Sequence, residues 1–449
     1  VTTSAAAPGD SHPDSVVDSV AATIERLEAS DLGAVDSVST ERALHDAAAV
    51  DARRRDGRTL GPVDGLVIGV KATLEEAGRP LHHGCGALTG RPAPTVDCAT
   101  IRRLRNAGAI VVASTTMSEF GWFCSGHNSV SPAARNPWNR SLTPGGSSSG
   151  SAAAVAGGLV AAAIGTDGGG SVRTPAAYCS LVGFKPSADI GAFDPPRDAN
   201  TAVGPLTWTV ADAHALTEAL SGRTIARPAI DAADLRVTVA TTFGYGWPAT
   251  DAVLASVDTV AAALAAHGAT VTALDGPVWP HDMFDRAKRF GFAGFRSTMW
   301  PLVADRLDEC TPTLAHHLLA CATITDAQAA ASLQHALDDL ALLGALLESC
   351  DVLITPTQPT TAHGYRFDTA FPDDAELDEY GYTFDHNPFT FPFNYLGAPA
   401  ISLPVGTDEH GLPIGVQIAA RPGQDGLVLA TATHVETLLD LIHRPRPTT

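Results

Sequence analysis

Two glycine-serine clusters, Pro144–Ser151 and Gly165–Arg173, bracket a run of small apolar residues, and this arrangement constrains the fold more than any other stretch of the chain. The run Ala152–Ala163 carries almost no polar side chain, so a helix there must be buried on most of its faces. Consecutive glycines at either end let the backbone take dihedrals closed to other residues and let a ligand approach the main chain. A buried helix flanked by two such loops needs a thick surrounding layer of structure. With 449 residues, 45% of them hydrophobic, the chain can supply it.

The rest of the pattern alternates short apolar runs with helical periodicity. Val16, Val17, Val20, Ile24 and Leu27 predict a helix, as does Ala43–Arg55. Leu66–Val70 reads as a short buried strand with Lys71 at its end. Asp97 opens a helix with Ile101 and Leu104 on one face, Gly108 stops it, and Ile110–Val112 forms a strand. Residues 126–150, rich in Ser, Asn, Pro and Gly, read as a long irregular loop, and a loop of that size inside a compact domain is usually functional. A further strand–helix–strand unit runs through Leu235–Ala240, Ala252–Ala266 and Thr270–Leu274. Residues 280–349 are mostly helical in pattern, followed by strands at Asp351–Thr355, Ile401–Leu403 and Ile414–Ile418. The implied fold is α/β: a central mixed sheet covered on both faces by helices. No repeat or Gly/Ser linker divides the chain. One large domain over residues 13–449 is expected, preceded by a disordered or loosely attached arm at 1–12.

A formal net charge of −20 disfavours nucleic acid and anionic membrane as partners. The seven cysteines are scattered and form no CxxC pair, and neither His82-His83 nor His316-His317 has the HExxH form. No metal and no cofactor is expected. Reduced thiols, with no signal-peptide pattern in Val1–Val16, point to a cytoplasmic protein. The oligomeric state is left open, a homodimer being one option.

The second cluster carries the chemistry. Successive N–H groups of Gly168, Gly169, Gly170 and Ser171 can converge on one point beside a hydroxyl, which is how an oxyanion hole is built next to a nucleophile. Three other motifs fail. Gly145–Ser151 lacks the lysine of a P-loop, and no GxGxxG follows Gly168. Gly146–Gly150 matches GxSxG, but the residues before it are loop-like, whereas a nucleophile elbow follows a strand. A serine nucleophile needs a base, and no histidine lies in either cluster. Lysine can serve when burial lowers its pKa, whereas arginine cannot be deprotonated. The chain has only three lysines, Lys71, Lys185 and Lys288, among 29 basic residues, so a lysine ending a buried strand is conspicuous.

Taken together, these residues resemble the amidase signature family. Gly145–Ala156 is similar to its hallmark, as are Gly165–Pro175 with Gly183–Pro186, and Gly69-Val70-Lys71 looks like its lysine motif. The likeness extends to Arg135–Trp138, Asp351–Pro356, and Pro392–Asn394 through Arg421-Pro422. It covers most of the chain outside 1–12 and a variable, mostly helical segment at about 275–345 that would shape the substrate pocket. The resemblance implies an amidase that cleaves the C–N bond of a small-molecule carboxylic amide. It assigns Ser171 as nucleophile, Lys71 as base, Ser147 as the bridge after a cis peptide bond to Gly146, and Gly168, Gly169 and Gly170 as oxyanion-hole amides. Asp167, Arg173 and Lys185 would hold the glycine turn through charge-assisted hydrogen bonds. The sequence departs from the family at Ala72, Ser114–Met117 and Cys85 without touching the triad. Trp122, Cys124 and Thr174 are candidate substrate contacts, and Phe123, His127, Phe290, Phe292, Phe295 and Trp300 could add an aromatic lining. The alternatives are the glutaminase subunit of a tRNA-dependent amidotransferase and, more remotely, an inactive scaffold of the same fold.

Overall fold

The computed structural model describes residues 15–192, 200–244, 248–279, 293–364 and 387–447. The expected arm at 1–12, together with Phe290, Phe292 and Lys288, lies outside the described residues.

Helices α1 (Val16–Ala29) and α2 (Thr40–Arg55) flank strand β1 (Val35–Val38). Strand β2 (Val67–Lys71), helix α3 (Ala99–Asn106) and strand β3 (Ile110–Thr115) follow. The central part contains α4 (Ser149–Ala156), β4 (Ala162–Asp167), α5 (Arg173–Tyr178), β5 (Val182–Lys185), β6 (Ala202–Thr207) and α6 (Val210–Ser221). Then come β7 (Arg236–Val239), α7 (Asp251–Ala266) and β8 (Thr270–Ala273). Helices α8 (Trp300–Val303), α9 (Pro312–Ala322) and α10 (Asp326–Ser349) lie in the described part of the variable segment. The chain finishes with β9 (Val352–Pro356), α11 (Phe391–Tyr395), β10 (Ala400–Thr407), β11 (Pro413–Ala419) and α12 (Asp425–Leu438).

Among the described residues the strands form one mixed sheet in the order β1-β3-β2-β4-β6-β5-β10-β11-β9-β7-β8. Strand β2 pairs in parallel with both β3 and β4, while β4–β6, β5–β10 and β10–β11 are antiparallel. Alternation along β3 shows how both faces are covered. Ile110 and Val112 pack with α1, α2 and α4, whereas Val111 points the other way, to Ile101 and Leu104 of α3 and Leu216 of α6. The expected α/β architecture is therefore present as one sheet running through the whole described chain.

Two local expectations are corrected. The apolar run 152–163 is not one helix: α4 ends at Ala156, and the chain enters β4 at Ala162. Gly157 caps the helix and Gly158 takes a φ of 71°, which ends it, and the same small apolar residues then serve as a buried strand. Asp97 does not cap α3. Its carboxylate is taken by the Arg42 guanidinium and the Ala77 N–H, and α3 starts after Cys98 without a side-chain cap.

Candidate active site

Two adjacent interior strands of the sheet position the site. Lys71 is the last residue of β2, and Asp167 is the last residue of the neighbouring β4, so both side chains emerge at the same end of adjacent strands. Ligands in open α/β sheets bind at such strand ends. After β4 the turn 168–172 leads straight into α5. The glycine cluster is thus a strand-to-helix turn, a feature hidden from the sequence by reading 152–163 as one helix.

Lys71 is 1% exposed, and its amine donates to Ser147 Oγ at 2.7 Å and to Thr166 Oγ1 at 2.9 Å. Burial pushes the Lys71 pKa down to about 7, with the Asp167 carboxylate opposing that shift. The peptide bond between Gly146 and Ser147 is cis, as the resemblance implied. The Ser148 N–H donates to the Ser171 carbonyl at 3.2 Å, so the segment carrying Ser147 is tied to the backbone of Ser171. Ser171 itself is partly exposed in the turn, as a nucleophile there would have to be. Ser147 is further enclosed from the side of Gly121, where a Cβ would stand 3.3 Å from Ser147 Oγ.

Asp167 shapes the turn. Its carboxylate accepts from the backbone N–H groups of Gly170 (2.7 Å), Val172 (3.1 Å) and Arg173 (3.3 Å). It also forms a two-pronged ion pair with the Arg173 guanidinium, at 2.9 Å from Nε and 2.8 Å from the terminal nitrogen. Burial alone would raise the Asp167 pKa, but the charge and hydrogen bonds of Arg173 and the Asn394 amide hold it well below the usual carboxylate range. Arg173 is spent as well, donating to the Thr390 carbonyl, Gln417 and Asn394, which ties the turn to α11 and β11.

These bonds correct the expected three-glycine cradle. The Gly170 N–H is taken up by Asp167, and a φ of 128° at Gly170 turns the chain there. A Cβ on Gly170 would stand 2.3 Å from Thr390 Oγ1, so glycine is required. The N–H groups of Gly169 and Ser171 meet no acceptor among the described residues, and Gly168 and Gly169 are only partly buried. Lys185 is also corrected. It is 1% exposed and donates to the Pro186 carbonyl, not to the turn.

The candidate substrate contacts divide. Thr174 and Cys124 share one network: Thr174 Oγ1 donates to Asn387 Oδ1 at 3.0 Å, Gln358 donates to Thr174 at 2.6 Å, and the Asn387 amide donates to Cys124 Sγ. Burial pushes the Cys124 thiol up to about 12, so it is not a thiolate nucleophile at neutral pH. Trp122 packs into a different cluster. It stacks edge-on against Phe295, donates its indole N–H to His317, and joins Phe123, Val303, Leu314 and Leu318 in an apolar cluster beneath the variable segment. Phe123 and Trp122 are buried there at 5% and 9% exposure, and Trp300 packs at its edge. His127, 9% exposed, lies within hydrogen-bond reach of Ser125. Thr166, Asn387, Thr390 and Gln417 also serve the site; Thr166 lies within the Gly165–Arg173 cluster and Gln417 within the strand Ile414–Ile418, but the sequence gives neither a role, and nothing picks out Asn387 or Thr390. Asn394 had a signal of its own, as part of the Pro392-Phe393-Asn394 motif.

Among the described residues, no helix is long and apolar enough to cross a membrane. A family model described as Amidase matches residues 18–429. The chain is 36% identical over 441 residues to "Putative amidase AmiA2" of Mycobacterium tuberculosis, covering 91% of this chain and 86% of that one. It is 30% identical over 496 residues to a glutamyl-tRNA(Gln) amidotransferase subunit of Rhodopirellula baltica, covering 98% and 96%. Among solved structures, one described as the crystal structure of amidase superposes with a TM-score of 0.81 at 28% identity, covering 94% of this chain and 95% of that one. A strand-end lysine, a serine hydroxyl beside it and a glycine turn locked by a buried ion pair are thus carried on the fold of known amidases, and this chain belongs to the amidase signature family of amide-hydrolysing enzymes.

Proposed function

We propose that the chain hydrolyses a carboxylic amide to an acid and ammonia or an amine through an acyl-Ser171 intermediate. The observation that carries this reading is the buried amine of Lys71 beside Ser147 Oγ at 2.7 Å, with a pKa brought to about 7. Uncharged Lys71 has a lone pair that can accept the Ser147 proton while Ser147 Oγ accepts the proton of Ser171. Ser171 Oγ then bonds to the amide carbon, and the carbonyl oxygen takes the electron pair as an oxyanion. The N–H groups of Gly169 and Ser171, with that of Gly168, supply its donors. One such donor is typically worth about 2.7–4 kcal/mol. The proton on Lys71 returns through Ser147 to the leaving nitrogen as the C–N bond breaks. Water, deprotonated along the same path, cleaves the acyl-serine and restores the enzyme.

Replacing Ser171 by Ala tests the assignment. Loss of amide turnover with an unchanged fold supports it, and full activity of Ser171→Ala would refute it. Substrate choice is read from a panel of aryl and short alkyl amides, hydrazides and esters, scored by ammonia or amine release. The likeness to an amidotransferase component supports a second reading, in which glutamine is the substrate and a partner protein is needed. Glutamine hydrolysis that appears only when a second protein is added would favour it. Amide hydrolysis by the chain alone favours the first.

A further inference from the structure

One buried cluster takes no part in the chemistry above. Cys85, Glu119 and Cys310 bring two sulfur atoms and a carboxylate oxygen within 4.8 Å of one another, all three residues being buried. They come from separate segments: Cys85 precedes the single turn Gly86–Leu88, Glu119 begins the turn Glu119–Gly121, and Cys310 follows the turn Leu307–Glu309. The two sulfurs are 3.7 Å apart. Two thiolates on one tetrahedral zinc ion, each at ~2.3 Å, stand ~3.8 Å apart. The pair already has that spacing. The main chain fixes it, since a Cβ on Gly86 would lie 2.5 Å from the Glu309 carbonyl oxygen.

The carboxylate adds an independent observation. Glu119 is 0% exposed, and its hydrogen bonds come from neutral groups: the Ser129 hydroxyl, the N–H and hydroxyl of Thr311, and the Cys85 thiol itself. Among the described residues no cationic side chain pairs with it. A buried carboxylate without a counter-charge is costly, and a divalent cation bound by it and the two sulfurs, whose protons leave on binding, would offset two of the three negative charges gathered there. Ser129 and Thr311 would then orient the ligating carboxylate, as outer-shell partners do in metal sites.

We propose that Cys85, Glu119 and Cys310 form a binding site for a thiophilic divalent cation of the zinc class, held by two thiolates and one carboxylate with a fourth position for solvent. Sulfur donors select such ions over magnesium or calcium. Sequence spacing could not show the site, because its ligands lie 34 and 191 residues apart. The ion would fasten two parts of the molecule. Glu119 follows Ser118, whose N–H donates to the Ser147 carbonyl, while Cys310 leads into α9 of the variable segment. The cation is assigned a structural role, so the test does not depend on the proposed reaction.

Cobalt(II) is the probe. The full chain, reduced and stripped of metal by a chelator, is titrated with Co²⁺ and then with Zn²⁺. The expected result is a thiolate-to-cobalt charge-transfer band that saturates at one equivalent and disappears on adding zinc. Cys85→Ser and Cys310→Ser are expected to lose the band, and Cys98→Ser to keep it, with circular dichroism confirming that each variant folds. Where a serine variant does not fold, X-ray absorption on the zinc-loaded unsubstituted chain reads the same question, with two sulfur neighbours expected. No band, a band that survives both substitutions, or a zinc ion without sulfur neighbours would overturn the proposal. So would a Cys85–Cys310 disulfide in protein isolated without reductant, combined with no cobalt uptake once it is reduced.

Discussion

Lys71 Nζ lies 2.7 Å from Ser147 Oγ, and each of these side chains is 1% exposed. The lysine reaches this position because β2 lies inside the sheet, with β3 on one side and β4 on the other, and its last side chain is almost wholly buried. Desolvation penalises the charged amine and brings the pKa to about 7, which would let the amine act as the proposed base at neutral pH. An arginine at this position would keep its proton.

In the proposed relay Ser147 bridges Lys71 and Ser171, and removing its hydroxyl would break that path while leaving both end groups in place. Ser147→Ala is expected to lower kcat by roughly 10²–10⁴-fold, the range associated with loss of general base catalysis, with little change in Tm. Steady-state kinetics on a responsive amide, paired with thermal melting, checks this. A variant with native kcat would show that Ser147 is not on the proton path.

Burial of the Lys71 amine also leaves a mark on stability. The folded pKa of about 7 lies below the ordinary lysine value of 10.5, so the folded state binds this proton less readily than the unfolded chain. Native stability is therefore lost as pH falls from about 10.5 through about 7, and the loss is complete below that window. Lys71→Met removes the group. Its Tm relative to the unsubstituted chain is expected to rise as pH is lowered from about 10 to about 7, measured by calorimetry across that range. Lys185, also brought to about 7 by burial, is present in both proteins and cancels in the comparison.

The Asp167–Arg173 pair tests the scaffold of the turn. Asp167→Asn leaves the 0% exposed Arg173 without its counter-charge, and breaking a buried pair from one side typically costs about 3–5 kcal/mol. A lowered urea midpoint and a reduced kcat are expected together, since the same carboxylate holds the Gly170 N–H. In the unsubstituted chain the depressed Asp167 pKa contributes stability that is present above the ordinary carboxylate range and lost as pH falls below about 4.

How far the sequence disclosed this arrangement differs from residue to residue. Strand β2 was legible because Val67–Val70 is apolar and ends on a rare lysine, and the two Gly/Ser clusters were legible because their composition has few structural uses. Strand β4 was not, because Ala162, Ala163 and Ile164 suit a buried helix as well as a buried strand, and only pairing with β2 and β6 decides between them. The Gly170 amide could not be separated from its neighbours by composition, since its engagement depends on where Asp167 points. Likewise Gln417, Asn394 and Thr390 approach Arg173 only through folding, across more than 200 residues of chain.

Trp122 distinguishes a pocket wall from a core residue. Its contacts with Phe295 and His317 and its burial place it in the apolar cluster under the variable segment. Trp122→Ala is expected to destabilise the fold by about 3–5 kcal/mol, the usual cost of emptying such a site, while relative rates on aryl and alkyl amides stay the same. A changed preference with unaltered stability would instead make it a substrate contact.

The most direct test of the lysine-driven mechanism is the rate at which a fluorophosphonate labels Ser171, followed by intact mass as a function of pH in the unsubstituted chain and in Lys71→Ala. The unsubstituted rate is expected to climb through an inflection near pH 7, as the amine loses its proton, and the variant is expected to label far more slowly with no such step. Labelling of Lys71→Ala at the same rate and with the same inflection would contradict the account.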